Sequence, residues 1–273
     1  MQTWVNGRLL ENADEPALVA TDHGVTVGDG VFESIKVLDG RPFALTRHLD
    51  RLQTSADGLG LTGVDVDAVR SGIDAVLAAE HVDFGRLRVT VTGGPAPLGS
   101  GRGDAAPTLL VSAVSMQPFP VSTSVVTVPW RRNEHGAVSG LKTTSYAENV
   151  VALAHAVERG GSEAIFANTA GDLCEGTGSN VFYVVEGELR TPTLASGCLA
   201  GVTRALVLEW FGGREVDEPI EVAEQADEVF LVSTTRDVQA VHQWGERRFP
   251  APGPITERAQ EAWREREPQD IDP

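Results

Sequence analysis

The chain has 273 residues, 41% of them hydrophobic, and carries 22 basic against 39 acidic residues, for a formal net charge of −17. That length supports one large core or two moderate ones, and the charge excludes general affinity for nucleic acid or an anionic membrane, which needs clustered positive charge. No apolar run spans a bilayer, residues 1–10 do not read as a signal peptide, and Cys174 and Cys198 are expected to be free thiols of a cytoplasmic protein.

Residues 2–5 and 8–10 are predicted to pair as a hairpin across Asn6-Gly7. Residues 31–38 alternate as a strand, with Phe32, Ser34 and Lys36 on one face and Val31, Glu33, Ile35 and Val37 on the other. Leu49, Leu52, Ala56 and Leu59 recur at helical spacing, which predicts a helix over 46–59 with Thr46 as N-cap and Gly60 as its stop. A second helix is predicted over 66–79, capped by Asp65. Strands over 87–92 and 108–114 flank a glycine-rich loop, 93–103. The loop lacks the Gly-Lys-Ser/Thr ending of a nucleotide phosphate loop and reads as a substrate loop or a plain connection.

Pro118 and Pro120 interrupt the pattern, which places a linker at 116–122 between a smaller N-terminal domain, 1–115, and a larger C-terminal one, 123–273. Beyond it, strands are predicted over 121–128, 163–167, 180–185 and 228–233, and helices over 146–159 and 201–211. The charged tail, 256–273, is predicted to be helical before its last residues fray.

Among the 22 basic residues only Lys36 and Lys142 are lysines. An amine can lose its proton and act as a nucleophile, whereas a guanidinium stays charged. Lys142 stands in Gly140-Leu141-Lys142-Thr143-Thr144-Ser145-Tyr146, just ahead of a helical run, and is preferred over a surface role. Lys36, on a strand without a following tyrosine, is placed at a pocket edge or in solvent. Three further segments suggest function: the carboxylate loop Glu175-Gly176-Thr177-Gly178-Ser179-Asn180, the glycine-led helix entry Gly201-Val202-Thr203-Arg204, and Ser233-Thr234-Thr235 at a strand end. A helix entry of that kind can bind phosphate through its free backbone N–H groups.

Together with Gly28-Asp29-Gly30-Val31-Phe32-Glu33 and Arg47-His48-Leu49-Asp50-Arg51-Leu52, these segments resemble, in order and over nearly the whole chain, the class IV aminotransferases. These are the fold-type IV pyridoxal-phosphate enzymes, among them D-amino-acid transaminase, branched-chain aminotransferase, (R)-amine transaminase and aminodeoxychorismate lyase. The resemblance implies a two-domain α/β (α+β) fold, pyridoxal 5′-phosphate as cofactor, a homodimer, and an amino donor and a 2-oxo acid acceptor as substrates. It implies that Lys142 carries the cofactor as a Schiff base and shuttles the proton, and that Glu175 pairs with the pyridine nitrogen. Arg51, Gly201, Val202, Thr203, Thr234 and Thr235 match the phosphate cup, and Tyr146 the partner of the phenolic oxygen. On its own Arg51 pairs equally well with Asp50 or Glu33, and only the motif order favours phosphate.

Substrate choice is less marked. Phe32 stands where D-amino-acid transaminases carry a tyrosine, and Leu98 and Ser100 stand about where their loop carries an arginine and a histidine. Arg102 in that loop, or Arg86 and Arg88 on the preceding strand, are the candidates to replace this carboxylate trap. Transfer from a D-amino acid, with (R)-amines as a possible extension, is the leading expectation. Branched-chain L-amino-acid transfer and lyase release of p-aminobenzoate and pyruvate are the alternatives, with Glu33-Ser34 closer to transaminase than to lyase usage.

Overall fold

The computed structural model describes residues 1–273 and divides them into two compact units. The first comprises Met1–Pro118, Leu141–Tyr146 and Ile271–Pro273; the second comprises Phe119–Gly140 and Ala147–Asp270. The chain therefore passes between units four times, where a single linker at 116–122 implies one passage. The segment holding Lys142 belongs with the N-terminal unit.

In the first unit, β1 (Gln2–Val5) and β2 (Arg8–Leu9) form the expected hairpin, with Asn6 and Gly7 both at positive φ. A short helix, α1 (His23–Thr26), precedes β3 (Gly30–Leu38), which turns into β4 (Arg41–Pro42). Helices α2 (Leu45–Leu59) and α3 (Val66–Ala79) follow, then β5 (Phe84–Thr92) and β6 (Thr108–Ser115). The sheet runs β2-β1-β6-β5-β3-β4. Strand alternation sends Val31, Ile35, Val37, Leu87, Val89 and Val111 into one core with Leu49 and Leu52 of α2 and Val69 and Ile73 of α3. The opposite face carries Phe32, Ser34 and Lys36, in register with Thr90, Arg88 and Arg86.

Helix α3 starts where its sequence predicts, because Asp65 caps it by accepting the Ala68 N–H at 3.0 Å. Helix α2 does not. Its N-cap is Ala44, in left-handed conformation and without a side-chain cap, and Thr46 lies inside the first turn.

The second unit contains β7 (Ser122–Arg132), α4 (Ala147–Val157), β8 (Glu163–Asn168), β9 (Leu173–Gly176), β10 (Asn180–Val185) and β11 (Glu188–Thr191). Then come α5 (Val202–Trp210), β12 (Arg214–Glu215), β13 (Glu228–Ser233), β14 (Asp237–Trp244), β15 (Arg247–Arg248) and α6 (Pro254–Arg266). Nine strands form a mixed sheet in the order β12-β11-β10-β13-β14-β7-β8-β9, with β15 on β14. Its core holds Ile165, Leu173, Val181, Tyr183, Leu231 and Val241. Strand β14 lies between β13 and β7 although its sequence interleaves Gln239, His242 and Gln243 with apolar residues. The tail does not fray at its end: residues 271–273 dock on α2.

Candidate active site

Backbone pairing fixes Lys142 in the first unit. The Phe32 N–H donates to the Lys142 carbonyl at 2.9 Å, the Thr144 N–H to the Gly30 carbonyl at 2.8 Å, and Val31 bridges Thr143. The Lys142 N–H itself donates to Ser55 Oγ of α2 at 3.1 Å. Thr144 and Ser145 hydroxyls both donate to the Gly28 carbonyl. This close docking requires glycine at 30: a Cβ there would lie 2.7 Å from the Val91 carbonyl oxygen and 2.9 Å from Thr144 Oγ1.

Around Lys142 stand the groups that give it an environment. Its Nζ lies 4.4 Å from the Phe32 ring centroid and 5.9 Å from that of Tyr146, and the two rings meet edge to face at 5.2 Å. On the same Phe32 ring sits Arg88, its Cζ 3.3 Å from the centroid. Burial pulls the Arg88 guanidinium down to about 10, still charged at neutral pH. Its nearest polar contact is Thr90 Oγ1 at 3.3 Å, and no carboxylate of the chain pairs with it.

The other two arginine candidates are placed differently. Arg86 is exposed. Arg102 donates to both Asp29 oxygens, at 2.7 and 2.5 Å, and to the Gly60 and Leu59 carbonyls at the end of α2, at 2.7 and 2.8 Å. It closes the glycine-rich loop onto α2. Lys36 is fully buried, not at a solvent edge, with Nζ 5.2 Å from the Phe43 ring centroid.

Arg51 belongs to a buried network. Its Nε and one terminal nitrogen grip Glu33 bidentately at 2.8 and 2.7 Å, and His48 Nδ1 lies 2.7 Å from the same carboxylate. Burial alone would raise Glu33, but the charge and hydrogen bonds of Arg51, with His48, reverse this and hold it at about 2. His48 is pulled below its ordinary value by burial. Glu33 is thus the partner of Arg51, and its mark in the sequence is a carboxylate on the apolar face of β3, while nothing local marks His48.

In the second unit Glu175 lies in β9, one residue before its end. One oxygen accepts the Leu199 N–H at 2.9 Å, and Arg132 Nε lies 3.2 Å from the other. Arg132 is itself held by Glu148 and stacked on Phe166, so the charge facing Glu175 is fixed in place. Asn180 donates to the Leu199 carbonyl and lies against Gly201, where a Cβ would come within 2.0 Å of its Oδ1. Gly201 caps α5 without a side-chain acceptor, and Val202 and Thr203 open the helix. The first-turn N–H groups of such a helix are suited to an anion. Thr234 and Thr235 form the turn between β13 and β14, which Arg236 fastens to buried Glu163 at 3.0 Å. Thr177 and the Gly178 N–H also donate to Glu163, joining the carboxylate loop to the same anchor.

A carboxylate held against a backbone N–H suits a ring nitrogen, and an uncapped glycine helix entry suits a phosphate, so these residues fit pyridoxal phosphate. The chain is 33% identical over 256 residues to a protein of Methanocaldococcus jannaschii provisionally named branched-chain-amino-acid aminotransferase, covering 89% of this chain and 88% of the relative. It is 27% identical over 288 residues to a D-alanine aminotransferase of Staphylococcus haemolyticus, covering 96% of each. Its fold matches the pyridoxal-phosphate-bound form of a Mycobacterium tuberculosis aminotransferase with a TM-score of 0.84 at 26% identity, over 96% of this chain and 97% of the other. With the family model for amino-transferase class IV matching residues 30–244, the chain belongs to the class IV aminotransferases, which use pyridoxal phosphate.

Proposed function

We propose that the chain transfers the amino group of a branched-chain L-amino acid to a 2-oxo acid, with Arg88 anchoring the substrate carboxylate. The observation that carries this reading is that Arg88, a charged guanidinium without a carboxylate partner, shares the Phe32 ring with Lys142. The D-amino-acid reading has three candidate replacements for its carboxylate trap, Arg102 in the loop or Arg86 and Arg88 on the strand, and the loop candidate is already engaged. Arg102, the one cation there, spends its donors on Asp29 and the α2 carbonyls.

Bound pyridoxal phosphate supplies the electron sink for the α-carbon. Lys142 Nζ is the attachment point and then the base that takes and returns the α-proton. Glu175 would keep the ring nitrogen protonated, and Arg51, the α5 entry and the Thr234-Thr235 turn are the groups that the family resemblance assigns to the phosphate. Tyr146 is the partner of the phenolic oxygen. Because Lys142 works from one side, the position of the carboxylate anchor selects the enantiomer: exchanging carboxylate and side chain inverts which one presents its hydrogen to the base.

Transfer from a D-amino acid is the second reading, favoured by the full-length likeness to a D-alanine aminotransferase. Holoenzyme given 2-oxoglutarate with L-leucine or D-alanine separates the two, and faster transfer from D-alanine overturns the first. Aminodeoxychorismate is the third arm, where p-aminobenzoate release without amino transfer overturns both. In Lys142→Ala the visible absorption band of the bound cofactor should vanish; a covalent link persisting through Lys36 contradicts the assignment.

A homodimer belongs to the same reading. Helix α4 buries Ala152 and Ala156 but leaves Val150, Leu153 and Val157 exposed at helical spacing, an apolar stripe suited to a second copy. Light scattering after size exclusion tests it. The two buried free thiols fit a cytoplasmic location.

A further inference from the structure

Helix α2 presents His48 and Arg51 one and two turns from its start, yet it begins without a local cap. Ala44 is left-handed and offers no side-chain acceptor. The cap comes from 226 residues away. Asp272 Oδ1 accepts the Thr46 N–H at 2.8 Å and its Oδ2 the Thr46 hydroxyl at 2.6 Å. On either side, the Ala44 N–H donates to the Ile271 carbonyl at 2.7 Å and Arg47 Nε to the Pro273 carbonyl at 2.7 Å. A carboxylate at this end also meets the positive pole of the helix dipole.

The two Asp272 bonds are exposed, whereas Ala44 is buried and the Arg47 bond half-buried, and Leu49, Leu52 and Ala56 keep the rest of α2 in the core. Losing the Asp272 bonds therefore loosens the first turn without opening the core. The loosened turn is the one that His48 closes, its N–H donating to the Ala44 carbonyl at 3.2 Å. Through His48 and the shared Glu33 carboxylate, the disturbance reaches Arg51.

We propose that Asp272 is a positioning residue for the cofactor phosphate: by capping α2 from a distant segment it sets the orientation of Arg51. This rests on the reading that Arg51 binds that phosphate. The inference distinguishes Asp272 from a cap that serves stability alone, such as Asp65 on α3, which satisfies its own helix by a local bond.

The test compares the holoenzyme with Asp272→Ala, Asp272→Asn, Asp65→Ala and Arg51→Gln, all at a temperature where circular dichroism shows each folded. The readouts are the rate of pyridoxal 5′-phosphate release and the affinities for pyridoxal 5′-phosphate and for pyridoxal, which lacks the phosphate. Asp272→Ala should release pyridoxal phosphate about five- to ten-fold faster, the range that loss of one cap allows, with pyridoxal affinity unchanged. Asparagine, an equally good cap, should restore release to within about two-fold of wild type. Asp65→Ala should lower the melting temperature without changing release. If Arg51→Gln leaves release unchanged, the phosphate reading itself fails. If Arg51→Gln accelerates release but Asp272→Ala does not, or Asp65→Ala accelerates it equally, or pyridoxal affinity falls in parallel, the positioning role is overturned and the phosphate reading stands.

Discussion

Replacing Glu33 by glutamine tests the buried network under Arg51. Glu33 is fully buried and sits at about 2 rather than its ordinary 4.5, because Arg51 and His48 outweigh the cost of burial. That difference corresponds to ~3 kcal/mol of folding stability, present above the unfolded carboxyl value and lost as the pH falls towards 2. His48 adds in the same direction: burial lowers its folded value, so the unfolded chain takes up a proton first and stability declines as the pH drops below the ordinary histidine range. Glu33→Gln keeps the shape of the side chain but strands the Arg51 charge, a loss of about 3–5 kcal/mol for a broken buried pair. Urea titrations followed by circular dichroism at pH 7, 4 and 3 should therefore show a large deficit at pH 7 that narrows towards pH 3, where the unfolded chain takes up the proton that folded Glu33 refuses. A variant within about 0.5 kcal/mol of wild type at pH 7, below what a surface change produces, would refute the network argument. So would a deficit independent of pH.

Arg88→Met should raise KM for the oxo acid about 10- to 100-fold, the worth of a charge-assisted contact, with a smaller change in kcat. Steady-state kinetics with the oxo acid varied check this. Arg102→Ala should leave that KM within about two-fold and instead free the loop at 93–103, seen as faster limited proteolysis. Glu175→Gln should lower turnover far more than pyridoxal phosphate affinity, since its role is electronic; equal losses in a paired titration and rate measurement would contradict it.

What could be read in advance was local. Alternation over β3 placed Val31, Ile35 and Val37 in the core because a strand repeats every two residues. Residues 66–79 were delimited correctly because the cap and its target lie three residues apart. The start of α2 was misplaced onto Thr46 for the converse reason, its cap being supplied by Asp272. The polar residues of β14 hid a strand that neighbours on both sides stabilise, which no window of its own sequence reveals. The segment around Lys142 stood out by composition, but its place beside β3 depends on hydrogen bonds to residues more than a hundred positions earlier.

The arginines show most clearly why chemistry exceeds pattern. Arg86, Arg88 and Arg102 are equivalent in sequence, each a flexible cation near a glycine-rich loop, and only their partners distinguish them. Asp29 satisfies Arg102 and Arg86 lies exposed, whereas Arg88 is drawn from water onto an aromatic face. Bringing that charge and the Lys142 amine to one ring is unfavourable by repulsion and desolvation, and the Phe32 quadrupole returns only about 0.5–2 kcal/mol for each cation. On the proposed reading an arriving carboxylate would relieve the remainder at Arg88 while Lys142 keeps its contact with the ring. On that reading Phe32 is the ring shared by the group that would hold the substrate and the group that would move its proton, and it brings no hydroxyl to compete for the same carboxylate.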